Sequence, residues 1–453
     1  MDYTITIPST LEGFTNTETK QVPTATGREM FLISGILDTK EEDRICPCCG
    51  KRMHANDGFP VSLRHISIGG TLTTVRFSKE RYLCPNCAAT SHQHIPFKAP
   101  GHRITVQLLN YAEGLLEYGL TNKAVSHITG LGQNTVKDID LKRLKDRYTT
   151  DGVHLRKPEK QARYLGIDEF KLHDGHKYAV VIVDMDTGHI IWLAHGKKKA
   201  TVHQFIDFVG AEWMSGVKAV ACDMNSDFQD AFEQRCPHIT VVHDHFHIVK
   251  NLNDKVISEV RKDEQRRLLA EGDAKGAQSL KKTKYILTSR RSTLERKDLE
   301  GMHGKSVVKE CRIFSRPEVK AKTGFAEKYD ELISQNKLLF TLDLIKEKLD
   351  DAYSTADRAS METSIYEIMA LCSASGNPHL MWFYRLLDGH FEGIVSHATY
   401  GKSTGKIEGI NNKIKTIRRQ GYGYPDDDYF FLKLFDSSRK GYVRNTPSHK
   451  ICD

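Results

Sequence analysis

Tyr164-Leu-Gly-Ile-Asp-Glu-Phe170 is the stretch that decides the fold, together with Val217-Lys-Ala-Val-Ala-Cys-Asp-Met224. Each is a short apolar run of strand length that closes on an aspartate. If the two strands are neighbours, their ends place Asp168 and Asp223 side by side. Like charges at that range repel, so the pair favours divalent cations between the carboxylates. A single Asp at a strand end is more often a turn residue, and only the pair indicates a site.

The surrounding segment, residues 160–250, alternates strand and helix patterns. Strands are predicted at 164–170, 178–184, 189–195 and 239–243, with a helix at 201–213. This alternation predicts an α/β domain. Residues 251–400 are charged and helical by pattern, and one buried helix face there is formed by Leu338, Leu342, Ile345 and Leu349.

A third acid, Glu408, stands in a basic helix near the end of the chain. The buried stripe of that helix is made of isoleucines at spacings of 3, 4 and 3: Ile407, Ile410, Ile414 and Ile417. Glu408 lies beside this stripe. A lone acid in a basic helix could be an ion-pair partner only. The sharper interpretation is a metal ligand flanked by cations that contact DNA phosphates, namely Lys413, Lys415, Arg418 and Arg419.

Five of the ten cysteines fall in residues 45–100. Two Cys-x-x-Cys pairs, Cys46/Cys49 and Cys84/Cys87, flank a hairpin pattern over 61–77, which predicts a zinc ribbon with one structural Zn²⁺. Cys48 could compete as a ligand, and His92 or His94 could replace a thiolate. Ordinary reduced cysteines are the alternative. The remaining cysteines have no paired spacing and are expected to be buried or incidental: Cys222, Cys236, Cys311, Cys372 and Cys452.

Residues 121–139 have the rhythm of a helix-turn-helix, with Thr121 as a helix cap, Gly130 at the turn and Val136 packing back. A structural helical hairpin would have the same pattern. In the DNA-binding motif the second helix enters the major groove. The residues expected to face DNA bases or phosphates are Gln133, Asn134, Thr135, Lys137, Lys142 and Arg143.

The composition agrees with a globular DNA-binding protein. The 453 residues carry 66 Lys+Arg against 58 Asp+Glu, a formal net charge of +8, with 39% hydrophobic and 27% charged residues. These proportions exclude wholesale disorder and fibrous repeats, and the mild positive charge suits a polyanionic partner. We find no apolar run of membrane-spanning length and no signal peptide, so we expect an intracellular protein without a membrane partner.

Three histidines at alternate positions, His243, His245 and His247, follow the strand pattern at 239–243. On a continuous strand they would share one face and could form a second transition-metal site. The alternative is a strand end near the catalytic acids, where Asp244 and His245 help to position substrate or water.

The order of these parts resembles the ISL-type (ISL three) family of bacterial insertion-sequence DDE transposases. The resemblance runs over nearly the whole chain from about residue 45. It rests on the two Cys-Pro-x-Cys pairs, the helix-turn-helix pattern, Gly166-Ile-Asp-Glu169, Cys222-Asp-Met-Asn225, Asp244-His-Phe-His-Ile-Val-Lys250, Gly405-Lys-Ile-Glu-Gly-Ile-Asn-Asn-Lys-Ile-Lys415 and Gly421-Tyr-Gly-Tyr424.

The resemblance implies an RNase H-like catalytic core with a large helical insertion. It makes Asp168, Asp223 and Glu408 the catalytic triad, which holds two Mg²⁺ (or Mn²⁺) ions for DNA cleavage and strand transfer. The implied partners are double-stranded element ends and target DNA, bound by a homodimer or a higher oligomer. The implied location is the cytoplasm, at the nucleoid. The alternative enzyme is a nuclease or resolvase on the same fold without strand transfer. The alternative from another class is a zinc-ribbon and helix-turn-helix regulator with an inactive catalytic domain.

The expected domain organisation has seven parts. They are a loosely packed leader (1–44), the zinc ribbon (45–100), the helix-turn-helix domain (101–156), the first part of the catalytic core (160–250), the helical insertion (251–400), the last part of the core with Glu408 (401–440) and a C-terminal tail (441–453).

Overall fold

The structure is a computed structural model that describes residues 11–24, 27, 29–175, 177–224, 226–302, 322–401, 405–421 and 423–440. The predicted tail, Cys311, Cys452 and Lys402 lie outside the described residues. The chain divides into two compact units. The first contains residues 1–156 and 416–440, and the second contains residues 157–415.

The first unit begins with a five-stranded sheet. Its strands are β1 (Phe14–Pro23), β2 (Glu29–Leu37), β3 (His54–Ile68), β4 (Thr71–Leu83) and β5 (Thr90–His92). The order is β1-β2-β4-β3, with β5 also on β4. The leader expected to be loosely packed therefore supplies two strands. Ile33 and Leu37 of β2 are buried with Leu63 and Val75 in the core of this sheet.

Three helices follow: α1 (Val106–Glu117), α2 (Asn122–Thr129) and α3 (Gln133–Tyr148). The Thr121 side chain caps α2 by accepting a hydrogen bond from the Ala124 amide. Gly130 ends α2 at a φ of 70°, a left-handed conformation that favours glycine. Val136 is fully buried against the preceding helices. The helix bounds and the turn thus agree with the pattern in the sequence.

A helix from the far end of the chain, α18 (Asp427–Ser438), packs on α3. We expected residues 401–440 to belong together to the catalytic core, but residues 416–440 belong to the first unit. The contact is a buried ion-pair network. Arg143 donates to Asp140 at 2.8 Å and to Asp436 at 3.1 Å, and Lys433 donates to Asp140 at 2.8 Å. Spacing within α3 gave no signal of these long-range partners.

The network contradicts the prediction that Arg143 contacts DNA phosphates. The Arg143 side chain is only 7% exposed, and its guanidinium is occupied by two carboxylates. Although burial opposes ionisation, the hydrogen bonds and charge of Arg143 hold the pKa of Asp436 below its usual range. Arg143 therefore stabilises the first unit.

The second unit contains a mixed five-stranded sheet. Its strands are β6 (Tyr164–His173), β7 (Lys177–Asp184), β8 (Ile190–His195), β9 (Ala219–Cys222) and β10 (Thr240–His243), in the order β10-β9-β6-β7-β8. The hairpins β6-β7 and β7-β8 are antiparallel, whereas β9 and β10 run parallel to β6. The helices α4 (Lys199–Val209), α5 (Ala211–Met214) and α6 (Ser226–Arg235) connect these strands.

A helical region follows the last strand. Its helices are α7 (His245–Asn251), α8 (Ser258–Ala270), α9 (Ala274–Ser279), α10 (Lys284–Thr288), α11 (Arg291–Met302), α12 (Phe325–Gln335), α13 (Lys337–Ser354), α14 (Arg358–Ala374), α15 (Pro378–Gly389) and α16 (Phe391–Tyr400). They share one hydrophobic core that includes Leu342, Ile345 and Leu349 of the predicted buried face. None of the helices in the described ranges combines the length and the apolar character needed to cross a membrane. The helix α17 (Gly405–Gln420) carries Glu408, and its residues up to Lys415 belong to the second unit.

The three alternate histidines do not share a strand face. Strand β10 ends at His243, and Asp244 caps α7, so His245 and His247 lie on a helix. His243 is fully buried, and its ring meets that of His390 edge-on at 4.8 Å. A Cβ at Gly393 would lie 2.3 Å from the His243 ring, so glycine is what lets α16 pack on β10.

Replacing Asp436 with alanine tests the buried network. The variant leaves Arg143 buried without one of its two close carboxylates, and the loss of one partner of a buried pair costs about 3–5 kcal/mol. Urea unfolding, followed by hydrogen exchange of the α3 amides, should report that loss. Asp146→Ala is the control, because its pair with Lys142 is 66% exposed on both sides and contributes about 0–1 kcal/mol. Equal stability of both variants would contradict the structural role of Arg143.

Candidate functional site

The register of the parallel strands β10, β9 and β6 places three aspartates at equivalent positions along neighbouring strands. Ala221 of β9 pairs with Gly166 of β6 and with Val242 of β10. Two residues further along each strand stand Asp168, Asp223 and Asp244. Asp223 and Asp244 follow the ends of β9 and β10, whereas Asp168 lies within β6, which continues to His173, so the prediction that Asp168 ends its strand is wrong. The three aspartates still lie at one edge of the region in which the parallel strands pair, so Asp168 and Asp223 are neighbours as predicted. Asp244 was left outside the catalytic set.

Asp168 is held by two donors. The Glu169 amide donates to its Oδ1 at 2.7 Å, and the Asn411 side-chain amide donates to its Oδ2 at 2.5 Å. Even so, burial and the charge of Asp223 raise the pKa of Asp168 above its usual value. Burial also raises the pKa of Glu169, whose Oε2 is buried without a hydrogen-bond partner. The site thus holds more negative charge than its own donors neutralise, which suits a cation ligand.

Glu408 reaches this edge because α17 packs closely on β6. Ile407 fills the space over Gly166, where a Cβ would lie 2.5 Å from the Ile407 Cδ1 atom. The Lys406 ammonium donates to the carbonyls of Met185 and Asp186 at 2.7 Å each, which fixes the start of the helix. Glu408, the next residue after the buried Ile407, is exposed on the adjoining face.

These acids line a single cleft of about 480 Å³. Its acidic side contains Asp168, Glu169, Asp223, Asp244 and Glu408, and its other lining residues include Phe246, His247, Lys250, Asn411, Asn412 and Lys415. An acidic floor beside cationic side chains can hold divalent cations and a phosphodiester together. The structure therefore brings together all three predicted acids.

Sequence reasoning missed Asn411, Glu169 and Lys250 as members of the site. Asn411 was detectable, since it follows Glu408 by three positions and so shares its helix face. Lys250 was not, because the pattern gave no sign that a helix begins directly after Asp244.

The four cysteines of the predicted zinc ribbon meet in the first unit. Their sulfurs all lie within 4.8 Å of one another, and the distances Cys46–Cys87 and Cys49–Cys84 are both 3.5 Å. A tetrahedral zinc with Zn–S bonds of about 2.3 Å requires sulfur–sulfur distances of about 3.8 Å. The amides of Cys49 and Cys48 lower the pKa of Cys46 to about 6, which favours the thiolate that a metal binds.

The alternative ligands do not join this group. Cys48 is exposed, and His92 packs edge-on against Phe59 at 5.7 Å. The metal-compatible group contains neither His92 nor His94. Of the cysteines without paired spacing, Cys222, Cys236 and Cys372 are buried, as expected.

The predicted DNA-contact residues are differently placed. Gln133 and Asn134 are exposed in the first turn of α3, Lys142 is exposed further along it, and Thr135 is half-buried. Lys137 is half-buried and paired with Asp426 at 3.0 Å. On α17, Lys413, Lys415 and Arg419 are exposed and Arg418 is half-buried.

Comparison with known proteins identifies the family. The model of the ISL3-type DDE transposases, described as "Transposase", matches residues 165–434. A second model, described as the zinc-finger of transposase IS204/IS1001/IS1096/IS1165, matches residues 42–87. The first match covers more than half of the chain, and the chain therefore belongs to this family of insertion-sequence transposases.

The chain is also similar to individual proteins. The chain is 27% identical over 392 residues to the transposase for insertion sequence element IS1001 of Bordetella parapertussis, covering 86% of this chain and 87% of the relative. It is 38% identical over 87 residues to the transposase for IS1557 of Mycobacterium tuberculosis, covering 19% and 20%. Among solved structures, the Drosophila P element transposase strand transfer complex matches with a TM-score of 0.36 and 11% identity, over 76% of this chain and 95% of that one.

Replacing Cys84 with serine should abolish zinc binding and loosen the sheet of the first unit, because structural zinc contributes folding energy. Metal analysis of the purified protein should find about one zinc per chain in the wild type and far less in Cys84→Ser. The matched control is Cys48→Ser, which changes an exposed cysteine outside the cluster and should keep its metal. Full zinc retention by Cys84→Ser would exclude the four-cysteine site.

Proposed function

We propose that this transposase cleaves and joins DNA by two-metal phosphoryl transfer at the cleft formed by Asp168, Asp223 and Glu408. The observation that supports it best is that three acids from distant parts of the sequence line one cleft with lysines beside them. The sheet order β10-β9-β6-β7-β8, with one antiparallel meander and two parallel strands, is the arrangement of an RNase H-like core. Such a core places the first two acids on neighbouring strands, with Asp168 within β6 and Asp223 directly after β9.

The donors of the cleft fit hard divalent cations. All three acids offer carboxylate oxygens, the ligands that Mg²⁺ and Mn²⁺ prefer. Two such ions, when bound, supply an activated water and stabilise the charge on the leaving oxygen. The Asn411 amide fixes the orientation of the Asp168 carboxylate.

The cationic side chains have a separate role. Lys250 and Lys415 line the same cleft as the acids and would bind the oxygens of the scissile phosphodiester, which would hold the phosphorus atom near the carboxylates. Water then attacks phosphorus, the bond to the 3′ oxygen breaks and that oxygen leaves as a 3′-hydroxyl. In the second step this hydroxyl attacks a target phosphodiester, so one P–O bond forms as another breaks.

The first unit would recognise the element ends. If α2 and α3 act as a helix-turn-helix, Gln133 and Asn134 would contact bases and Lys142 would lie near the phosphates. The zinc ribbon would be a structural support for this unit. Joining two ends requires at least two active sites, so we propose a homodimer or higher oligomer on DNA, acting at the bacterial nucleoid.

Replacing Glu408 with glutamine tests the third ligand. The change removes a charge facing the cations but keeps the shape, so end binding should survive or strengthen, since repulsion toward phosphate falls. Mg²⁺-dependent nicking of a labelled element end should drop by several orders of magnitude, roughly 10³-fold or more. Gel shift and nicking should be measured on the same preparations.

The controls are Glu392→Gln and Glu367→Gln, two exposed acids that pair with Arg358 and Lys348. Both should nick at nearly the wild-type rate. Near-normal nicking by Glu408→Gln would remove it from the triad. A wild-type protein that binds ends but never nicks them would favour the regulator with an inactive domain.

Recognition by α3 can be tested separately. Replacing Gln133 and Asn134 with alanine should reduce the preference for the true end over a scrambled duplex, because base contacts carry specificity. Replacing Lys142 should weaken both duplexes alike and lower the salt slope by about 1. Competition binding at several salt concentrations separates the two effects. Unchanged binding in both variants would place the recognition surface elsewhere.

A further inference from the structure

The helical insertion has a strongly uneven charge. Residues 251–400 contain 25 Lys and Arg against 23 Asp and Glu. Eight of these cations but only one of the acids, Glu295, fall within residues 274–297, so the rest of the insertion is net acidic. The cations are Lys275, Lys281, Lys282, Lys284, Arg290, Arg291, Arg296 and Lys297. This concentration is unlike the balanced charge of an ordinary solvated face.

The first cations of this segment border an open cleft of about 810 Å³. One wall is formed by α9 and the turn before α10, with Lys275, Lys281 and Lys282, and the other wall is formed by α12, with Lys328 and Gln335. The lining is mixed: besides the polar Gln278, Ser279 and Thr283 it includes the apolar Ile286 and the acids Asp273 and Glu331, and its four lysines against these two acids leave the cleft net positive. A cleft of this kind suits a charged ligand better than a hydrophobic helix.

The turn that carries the lysines is ordered by its own contacts. Leu280 is buried in the core of the insertion, and the Thr283 hydroxyl donates to its carbonyl at 2.7 Å. Lys282 adopts a left-handed conformation with a φ of 63°, which is uncommon for a residue other than glycine. The backbone therefore holds Lys281 and Lys282 outward in a fixed geometry.

Nearby cations are already neutralised, whereas these are not. Lys284 pairs with Asp254 at 2.9 Å, and Lys328 pairs with Glu331 at 2.7 Å. Lys275, Lys281 and Lys282 are exposed, and no carboxylate of the described residues lies within ion-pair distance of their ammonium groups. Three unpaired ammonium groups beside one groove form a site for a polyanion.

We propose that this lysine cleft, formed by Lys275, Lys281 and Lys282, binds the phosphate backbone of double-stranded DNA, as a contact surface additional to α3 and the catalytic cleft. Lysine offers a compact charge without base-reading geometry, so the contact is independent of sequence. DNA is favoured over an acidic protein because phosphates need only charge and an open groove. The choice of DNA rests on the proposed function.

The test compares Lys281→Ala/Lys282→Ala with the wild type in the full-length protein, using fluorescence anisotropy with a labelled element-end duplex. The logarithm of the binding constant falls linearly with the logarithm of the salt concentration, and each lost phosphate contact lowers the magnitude of this salt slope by about 0.9. The salt slope of the double variant should therefore be smaller than that of the wild type by about 2. Raising the salt fourfold should then cost the variant roughly tenfold less affinity than it costs the wild type. The ratio of affinities for the true end and a scrambled duplex should not change.

The control is Lys262→Ala/Lys348→Ala, which removes two lysines of the insertion that already pair with Glu259 and Glu367. The salt slope of this control should change by less than half of the change expected for Lys281→Ala/Lys282→Ala. Thermal unfolding of each variant should match the wild type. A second variant, Lys281→Glu/Lys282→Glu, should weaken binding further by repulsion.

An unchanged slope in both cleft variants, with wild-type binding intact, would overturn the proposal and leave the surface to an acidic protein. That outcome is distinct from failure of the proposed function, in which the wild type itself would neither bind nor nick element ends.

Discussion

The close approach of α17 to β6 over Gly166 is the constraint on which the proposed active site depends. The absence of a side chain at Gly166 lets Ile407 pack directly on the strand two residues before Asp168. Asn411 and Asp168, 243 positions apart in the chain, are thereby brought within hydrogen-bond distance. A larger residue at Gly166 would move α17 outward, and Glu408 would move with it. Since metal ligands tolerate displacements of only tenths of an ångström, the packing of one glycine sets the geometry of the chemistry.

The two units use buried charge in opposite ways. In the first unit, Arg143 and Lys433 satisfy Asp140 and Asp436, so the network is closed and available to no ligand. In the proposed catalytic cleft, burial and neighbouring acids raise the pKa values of Asp168 and Glu169, which disfavours their charged forms in a way that a bound cation would offset. A closed network stabilises a helix contact, while an open one is prepared for cations and a phosphodiester.

Much of the site could be predicted from local patterns. Asp168 and Asp223 each end an apolar run, Glu408 follows a buried isoleucine, and the cysteine pairs have ligand spacing. What failed depended on contacts between distant segments. Strand β2 is parallel to β4, and no hairpin turn signals that pairing. The local sequence around Arg143 is typical of a phosphate contact. In the structure its guanidinium instead binds Asp436, which lies 293 positions further along the chain. His245 and His247 have strand spacing, but the side chain of Asp244 caps a helix instead.

The helical insertion leaves and rejoins the core at the same strand. It begins directly after β10, and its last helix returns over that strand, with Gly393 against His243 and the Tyr400 hydroxyl 3.2 Å from the Thr240 hydroxyl. Because entry and exit are adjacent, the intervening residues can lengthen, shorten or diverge without moving the carboxylates. Lineages of such elements could therefore exchange this region as a module, acquiring new DNA contacts while conserving the chemistry. In evolutionary terms, β10 is a permissive insertion point beside the acidic cleft.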